Sequence, residues 1–297
     1  MGTVTSIMMM LEELSLGCHY FEIGVLLRNS LMVNKILVNS EVWYGLTDNQ
    51  IGELENIDKI LMRKISGAHS KTPIEFLYLE MGCVPLKYII KSRRIMYLHY
   101  LLNRNENDMI YKFLKAQMNN PKKNDWFLDV KNDLEQFNIE LSFEELRHLS
   151  KENLSKIVKE KSKRKAFEDL LELKNSHSKL DNIEYKKLEM QPYLKSNLFY
   201  EDEARLLFRF RSHMYNVKRN FSKMYLNNLT CRLCHVEIED QKDLMYCEFL
   251  KEDDDSIETF KYIDIYSNDL KKSSKTMKIL KKKIKTREEI LENILEP

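Results

Sequence analysis

Helix start and stop signals recur along this chain, with little to interrupt what lies between them. Thr47 and Gln50 stand three apart ahead of Ile51, Leu54, Leu61 and Ile65, a capping box opening a helix that Gly67 can close. Thr72-Pro73-Ile74-Glu75 offers a cap, a proline at the first helical position and an acid in the first turn of "PIEFLYLEM", which ends at Gly82. A third helix begins near Pro85; Ile90, Met96, Tyr97 and Leu101 lie towards its core, and Lys91, Arg93 and Arg94 form a small solvated basic face. Ser142 and Glu145 repeat the capping box. Only 7 glycines and 5 prolines stand among 297 residues, so helices once started have few places to break. The fold class that follows is mainly α, a multi-helix body with a small cysteine-rich segment and a C-terminal helix.

Four regions divide the chain: a helical region over 1–118, a charged helical connector over 119–199, a basic helix and cysteine-rich segment over 200–250, and an acidic turn with a last helix over 251–297. In the first, Gly17 separates a short helix from a longer one whose face carries Ile23, Leu27, Leu31 and Val38. Met8 to Met10 fill core, and Trp43 and Tyr44 pack beside an apolar run. "NNPKKND" (Asn119–Asp125) is a polar break. Trp126–Phe137 and Phe143–Leu173 read as helices, and acids interleaved with the lysines of "KEKSKRKAF" make helix-surface ion pairs. Asn175–Asn197 reads as a polar connector. The closing helix, Ser267–Glu296, has a stripe of Leu270, Met277, Leu280, Ile284, Leu291 and Ile294 that should dock on the body; Lys281–Lys283, Lys285 and Arg287 decorate it.

A net charge of +2 identifies no partner, so a polyanion signal must come from local clustering. Such a cluster runs from Ala204 to Thr230, where Arg205, Arg209, Arg211, Lys218, Arg219 and Lys223 occur without an acid. Leu206, Leu207, Phe210, Met214 and Val217 recur at helical steps there, leaving the cations to face a phosphate chain. Three of the five cysteines follow, as Cys231-x2-Cys234-x12-Cys247. A Cys-x2-Cys pair can place two thiolates on one Zn²⁺, with Cys247 as a third ligand. The alternative is a surface loop with unligated cysteines. An odd cysteine count is no disulfide framework; Cys18 and Cys83 fit buried thiols, and a reducing compartment follows. Charges or Asn interrupt every apolar stretch, so no membrane partner is expected, and an intracellular protein is. The opening "MGTVTS" matches the loose myristoylation pattern, a match short enough to arise by chance.

The spacing Cys-x2-Cys-x8-His-x3-Cys behind "LLFRFRSHM…VKRNF…MY" resembles the C-terminal end of reverse transcriptases from non-LTR (LINE-type) retrotransposons. Asp243 stands here at the His position. A carboxylate can ligate zinc, although structural sites overwhelmingly use Cys and His; His235 beside Cys234 is awkward for the same ion. "NSEVWYGLT", "LMRKISGAHSKTPIEFLYLEMG", "RRIMYLHYLL" and "HSKLDNIEYKKLEMQPYL" are similar to the stretch that follows the polymerase palm in the same proteins. The resemblance implies a thumb and connection region, a zinc-knuckle-like segment with Cys231, Cys234, Asp243 and Cys247 as ligands, and zinc as cofactor. It also implies RNA or DNA as partner, together with a separately encoded polymerase or endonuclease part, and a segment once internal to a longer protein.

Polymerisation needs paired carboxylates holding two metal ions. The aromatic-x-Asp-Asp turn that supplies them in reverse transcriptases does not occur; the Asp-Asp pairs lie within Asp253–Asp255, in an acidic turn Glu252–Asp255. There is no Gly-rich phosphate loop or nucleophile-elbow serine, and the histidines at 69, 99, 148, 177 and 213 read as surface or capping residues. The expectation is a non-catalytic, nucleic-acid-binding remnant. The alternatives are a helical interaction scaffold and a decayed reading frame without function.

Overall fold

The computed structural model describes residues 2–14, 16–123, 125–225, 228–250, 261–267 and 269–295, without the side chains of Cys18, Ile294 and Leu295. The acidic turn and the expected burial of Cys18 thus lie outside the described residues. The chain is mainly helical, 68% helix. Among the described residues no strand forms, only isolated bridges at Met81–Met190 and Thr230–Ile238. The helices are α1 (Gly2–Glu13), α2 (Tyr20–Leu27), α3 (Val33–Ile36), α4 (Asp48–Ser66), α5 (Ile74–Met81), α6 (Leu86–Leu102), α7 (Met109–Asn119), α8 (Trp126–Gln136), α9 (Phe143–His148), α10 (Lys151–Asn175), α11 (Glu201–Arg211), α12 (Asp243–Tyr246) and α13 (Leu270–Leu295). One core runs through all four regions of the sequence, from Val4 and Ile7 through Phe76, Leu98, Leu154, Phe208 and Phe210 to Ile265 and Met277.

The local signals produce the helices they announce. Thr47 accepts from the Gln50 N–H while Gln50 caps the Thr47 N–H, and Gly67 closes α4 at φ 63°. Ser142 and Glu145 make the same reciprocal pair. Gly82 ends α5 at φ 64°, and a Cβ there would stand 2.1 Å from the Met190 nitrogen, so only glycine admits that crossing. Arg164 and Lys165 pair with Glu168 and Asp169 along α10.

Burial corrects several expectations, each where a distant partner claims a side chain. Thr72 does not cap α5; it is buried, and its carbonyl accepts from Arg63. A π-helical turn, Arg28–Met32, shifts the face after α2, so Leu31 and Val38 stay exposed while Arg28 turns inward onto Asp58. Of the methionine triplet, Met9 and Met10 are exposed. Trp43 packs against a small second cluster, but Tyr44 is exposed. The basic face of α6 is not fully solvated: Arg94 is buried with both carboxylate oxygens of Asp133, at 2.7 and 2.9 Å. The run expected as one helix from Phe143 breaks at Leu149, and Ser150 caps α10 afresh. Residues 175–197 are no polar connector: Leu180, Ile183, Leu188, Tyr193 and Leu194 enter the core. His99 is buried with Nε2 2.9 Å from the Leu149 carbonyl. The closing helix α13 docks on the body as expected, with Met277, Leu280 and Ile284 inward, but Lys283 and Arg287 are buried with them.

Candidate metal centre and cationic surface

The cysteine-rich segment folds as a tight reversal. Glu239 N–H donates to the Leu229 carbonyl at 2.8 Å and Cys231 N–H to the Glu237 carbonyl at 2.7 Å, with His235 turning the chain at φ 55°. This backbone aims N–H groups at sulfur: Leu233 N–H lies 3.4 Å from Cys231 Sγ, and those of Val236 and Glu237 meet Cys234. The second arm is α12, started by Asp240 Oδ1 accepting from the Lys242 and Asp243 N–H groups at 2.8 and 3.0 Å. One turn then carries Asp243 and Cys247 to the same side, four residues apart.

The ligand atoms of Cys231, Cys234, Asp243 and Cys247 all lie within 4.8 Å of one another, a possible metal site. Cys231 Sγ and Cys247 Sγ are 3.9 Å apart. A tetrahedron with ion–sulfur bonds near 2.3 Å has sulfur–sulfur edges of roughly 3.8 Å. The Cys231–Cys247 edge therefore matches a tetrahedral ion, and the other two donors lie close enough to share it. His235 is exposed and stands outside the cluster. Burial pushes the Cys231 and Cys247 thiols and the Asp243 carboxyl up, whereas the N–H groups at Cys234 pull its thiol down. An ion entering here would displace the protons that burial retains.

The surrounding structure anchors this centre to α13. Leu233 and Leu250 pack with the cysteines, and Ile290 and Leu291 of α13 close over them. Fully buried Glu239 accepts from Arg232 Nε at 2.8 Å and from Arg287 of α13 at 2.7 Å. Lys283 of α13 donates to the Met245 carbonyl.

The six cations proposed for phosphate do not share one open face. Arg211 is buried; its Nη2 lies 3.0 Å from Glu80, a carboxylate that also accepts from Tyr185 and Tyr193 at 2.7 and 2.6 Å. That placement corrects the outward assignment for Arg211, because Glu80 is fully buried and needs a cation. Arg205 is half-committed as well. It donates to Tyr20 at 2.6 Å and to the Ile65 carbonyl at 3.2 Å near the C-terminus of α4, and pairs with Glu201. Lys218 donates to the Thr230 carbonyl, and exposed Arg219 pairs with Asp240 at 3.0 Å. Arg209 and Lys223 are exposed and make no ion pair among the described residues. The helix itself ends at Arg211, and Met214 and Val217 lie beyond it.

Sequence reasoning underrated α13. From Leu270 to Arg287 it carries nine Lys or Arg and no acid. Lys271, Lys275, Lys278, Lys282 and Lys285 are exposed and, at steps of four and three, share one ridge. The signal was an acid-free run flanking an apolar stripe.

Between these elements lies a cleft of about 680 Å³, lined by His69, Arg209, Tyr215, Phe221, Tyr225, Arg232, Arg287 and Glu288 among others. No helix among the described residues is long and apolar enough to cross a membrane. No protein family, curated protein or solved structure matches this chain.

Proposed function

We propose that this chain is a non-catalytic, zinc-organised protein that binds RNA or DNA through its phosphates, as the resemblance to the post-palm end of non-LTR reverse transcriptases implies. Cys231, Cys234, Cys247 and Asp243 would hold Zn²⁺, whose part is structural: three thiolates and a carboxylate leave no position for a substrate. The observation that carries the reading is the docking on this four-ligand cluster, through Ile290, Leu291 and Arg287, of a helix whose stretch from Leu270 to Arg287 holds nine cations and no acid. Lysines on a ridge present point charges along a polyanion, and their contacts carry no sequence information. Exposed Arg209 and Lys223 extend the same chemistry around α11. A reducing, intracellular setting keeps the thiols available for metal. A separately encoded polymerase or endonuclease part would complete the parent activity.

A labelled single-stranded RNA, titrated at low and moderate salt and followed by anisotropy, tests the proposal. Tight binding at low salt should weaken linearly in log–log form, with a slope of about −0.7 per phosphate contact. Purified protein should carry zinc near one equivalent, and chelation should weaken RNA binding as α13 loses its anchor. No binding at low salt rejects the function. A helical interaction scaffold is the second reading, favoured by the inward turn of Arg205 and Arg211; the same low-salt titration separates them.

A further inference from the structure

We propose that the cleft beside the metal centre is a pocket for one unpaired nucleotide of a single strand. The inference rests on the nucleic-acid reading and adds to it a specific site and ligand class. Three guanidinium groups from distant parts of the chain converge on this cleft: Arg209 from α11, Arg232 from the cysteine-rich turn and Arg287 from α13. Arg209 retains donors open to the cleft, and Arg287 adds charge. Arg287 is 5% exposed, yet its Nε–H has no hydrogen-bond partner among the described residues. That nitrogen is closed to solvent and so to a ligand, but the single carboxylate of Glu239 is shared by Arg232 and Arg287, which leaves a positive charge beside the cleft. Exposed Arg209 donates only its Nε, to the Gly67 carbonyl at 2.8 Å, so its terminal nitrogens have no protein partner among the described residues.

An aromatic surface accompanies the donors. Tyr225 lines the cleft half-buried, with Lys218 and Arg232 over its ring, each 5.9 Å from the centre, loose contacts that an entering base would exchange for stacking. A half-exposed ring with cations around it can stack a base while they take its phosphate. Glu288 and Glu292 are the acids lining the cleft, both on the C-terminal half of α13. Carboxylates repel phosphate but accept from the amino group of a base edge, which gives the two ends of a nucleotide different places. A base within a duplex cannot enter, since its faces are already stacked and its edge paired. At about 680 Å³ the cleft falls in the size range of small-molecule sites.

The test uses the full chain and two probes: 2-aminopurine riboside 5′-monophosphate, too small to span the α13 ridge, and an RNA octamer carrying one 2-aminopurine. Stacking in the cleft should quench the fluorescence of both. Tyr225→Leu and Arg209→Gln should each weaken mononucleotide binding by roughly tenfold, whereas Lys271→Glu with Lys278→Glu should weaken the octamer and leave the mononucleotide unchanged. An octamer that binds without quenching, equally well to the Tyr225→Leu protein, overturns the pocket and leaves phosphate binding standing. A mononucleotide that quenches while the octamer shows no salt-dependent gain supports the pocket and removes the ridge. If neither probe binds, both ideas fall.

Discussion

Two stretches of this chain hold many cations and no acids, Ala204–Thr230 and Leu270–Arg287, and the fold treats them in opposite ways. The first enters the middle of the molecule. Ala204, Leu207, Phe208, Phe210 and Arg211 of α11 are all buried, so a cation on the inner sides of that helix must find a partner in the protein, and of its cations only Arg209 stays exposed. Arg211 finds Glu80, a residue 131 positions earlier, and Arg205 finds the carbonyls near the end of α4. The second stretch covers the body with one face only. Ser273, Thr276, Met277, Leu280, Lys283, Ile284 and Arg287 turn inward, and the remaining lysines lie on the exposed side, where Lys281 pairs with Asp202 and Lys285 with Glu289. Local absence of acids thus says little about exposure; the number of sides a helix buries decides it.

The contrast can be broken by measurement. Arg211→Met leaves the Glu80 carboxylate buried with two tyrosine hydroxyls, and should cost about 3–5 kcal/mol in urea unfolding. RNA affinity of the folded protein should not change. A fall in affinity without a fall in stability would return Arg211 to the surface.

A smaller effect separates the two regions by pH. His213, at the end of α11, is held at φ 52°, with Nε2 2.9 Å from the Tyr266 hydroxyl. Burial first, and Lys179 after it, push its pKa down to about 4 from an ordinary 6.5. Between those values the unfolded chain binds a proton that the folded chain refuses. Stability from this group is therefore complete above pH 6.5 and is lost as pH falls towards 4, by up to about 3 kcal/mol. The loss should shrink in His213→Gln when unfolding midpoints at pH 7 and pH 5 are compared. An unchanged pH response would show that His213 is solvated.

The ridge of α13 should answer oppositely. Lys271→Glu with Lys278→Glu should move the unfolding free energy by less than about 0.5 kcal/mol, as surface changes do. The same pair should lower RNA affinity roughly tenfold or more at low salt, with the log–log salt slope flatter by about one or two units. Stability loss without loss of RNA binding would assign these lysines to the core instead.

Much of the fold was legible because its signals are local. Thr47 with Gln50, Ser142 with Glu145, and Gly67 and Gly82 each act within a few residues, through backbone groups that have no partner in the helix. Ion pairs along α10 were legible for the same reason. The metal centre was readable as three cysteines at a spacing, with Asp243 added by the resemblance alone, and the spacing leaves a twelve-residue gap of unknown path. Closing it took the turn that Asp240 holds ahead of α12, which brings Asp243 and Cys247 to the sulfurs of Cys231 and Cys234. What stayed hidden were the long-range contests for buried charge: Arg28 with Asp58, Arg94 with Asp133, and Arg211 with Glu80. Residues 175–197 were misread by composition, since polar residues outnumber the few apolar ones that carry the packing.

By itself the sequence determined several helix starts and stops and which cysteines are able to share one ion, because capping and thiol chemistry depend on neighbours along the chain. Only the tertiary structure decided which arginines are spent on buried carboxylates and which lysines stay on an exposed side. Burial is a property of every element that packs around a residue, and no stretch of sequence carries that information alone.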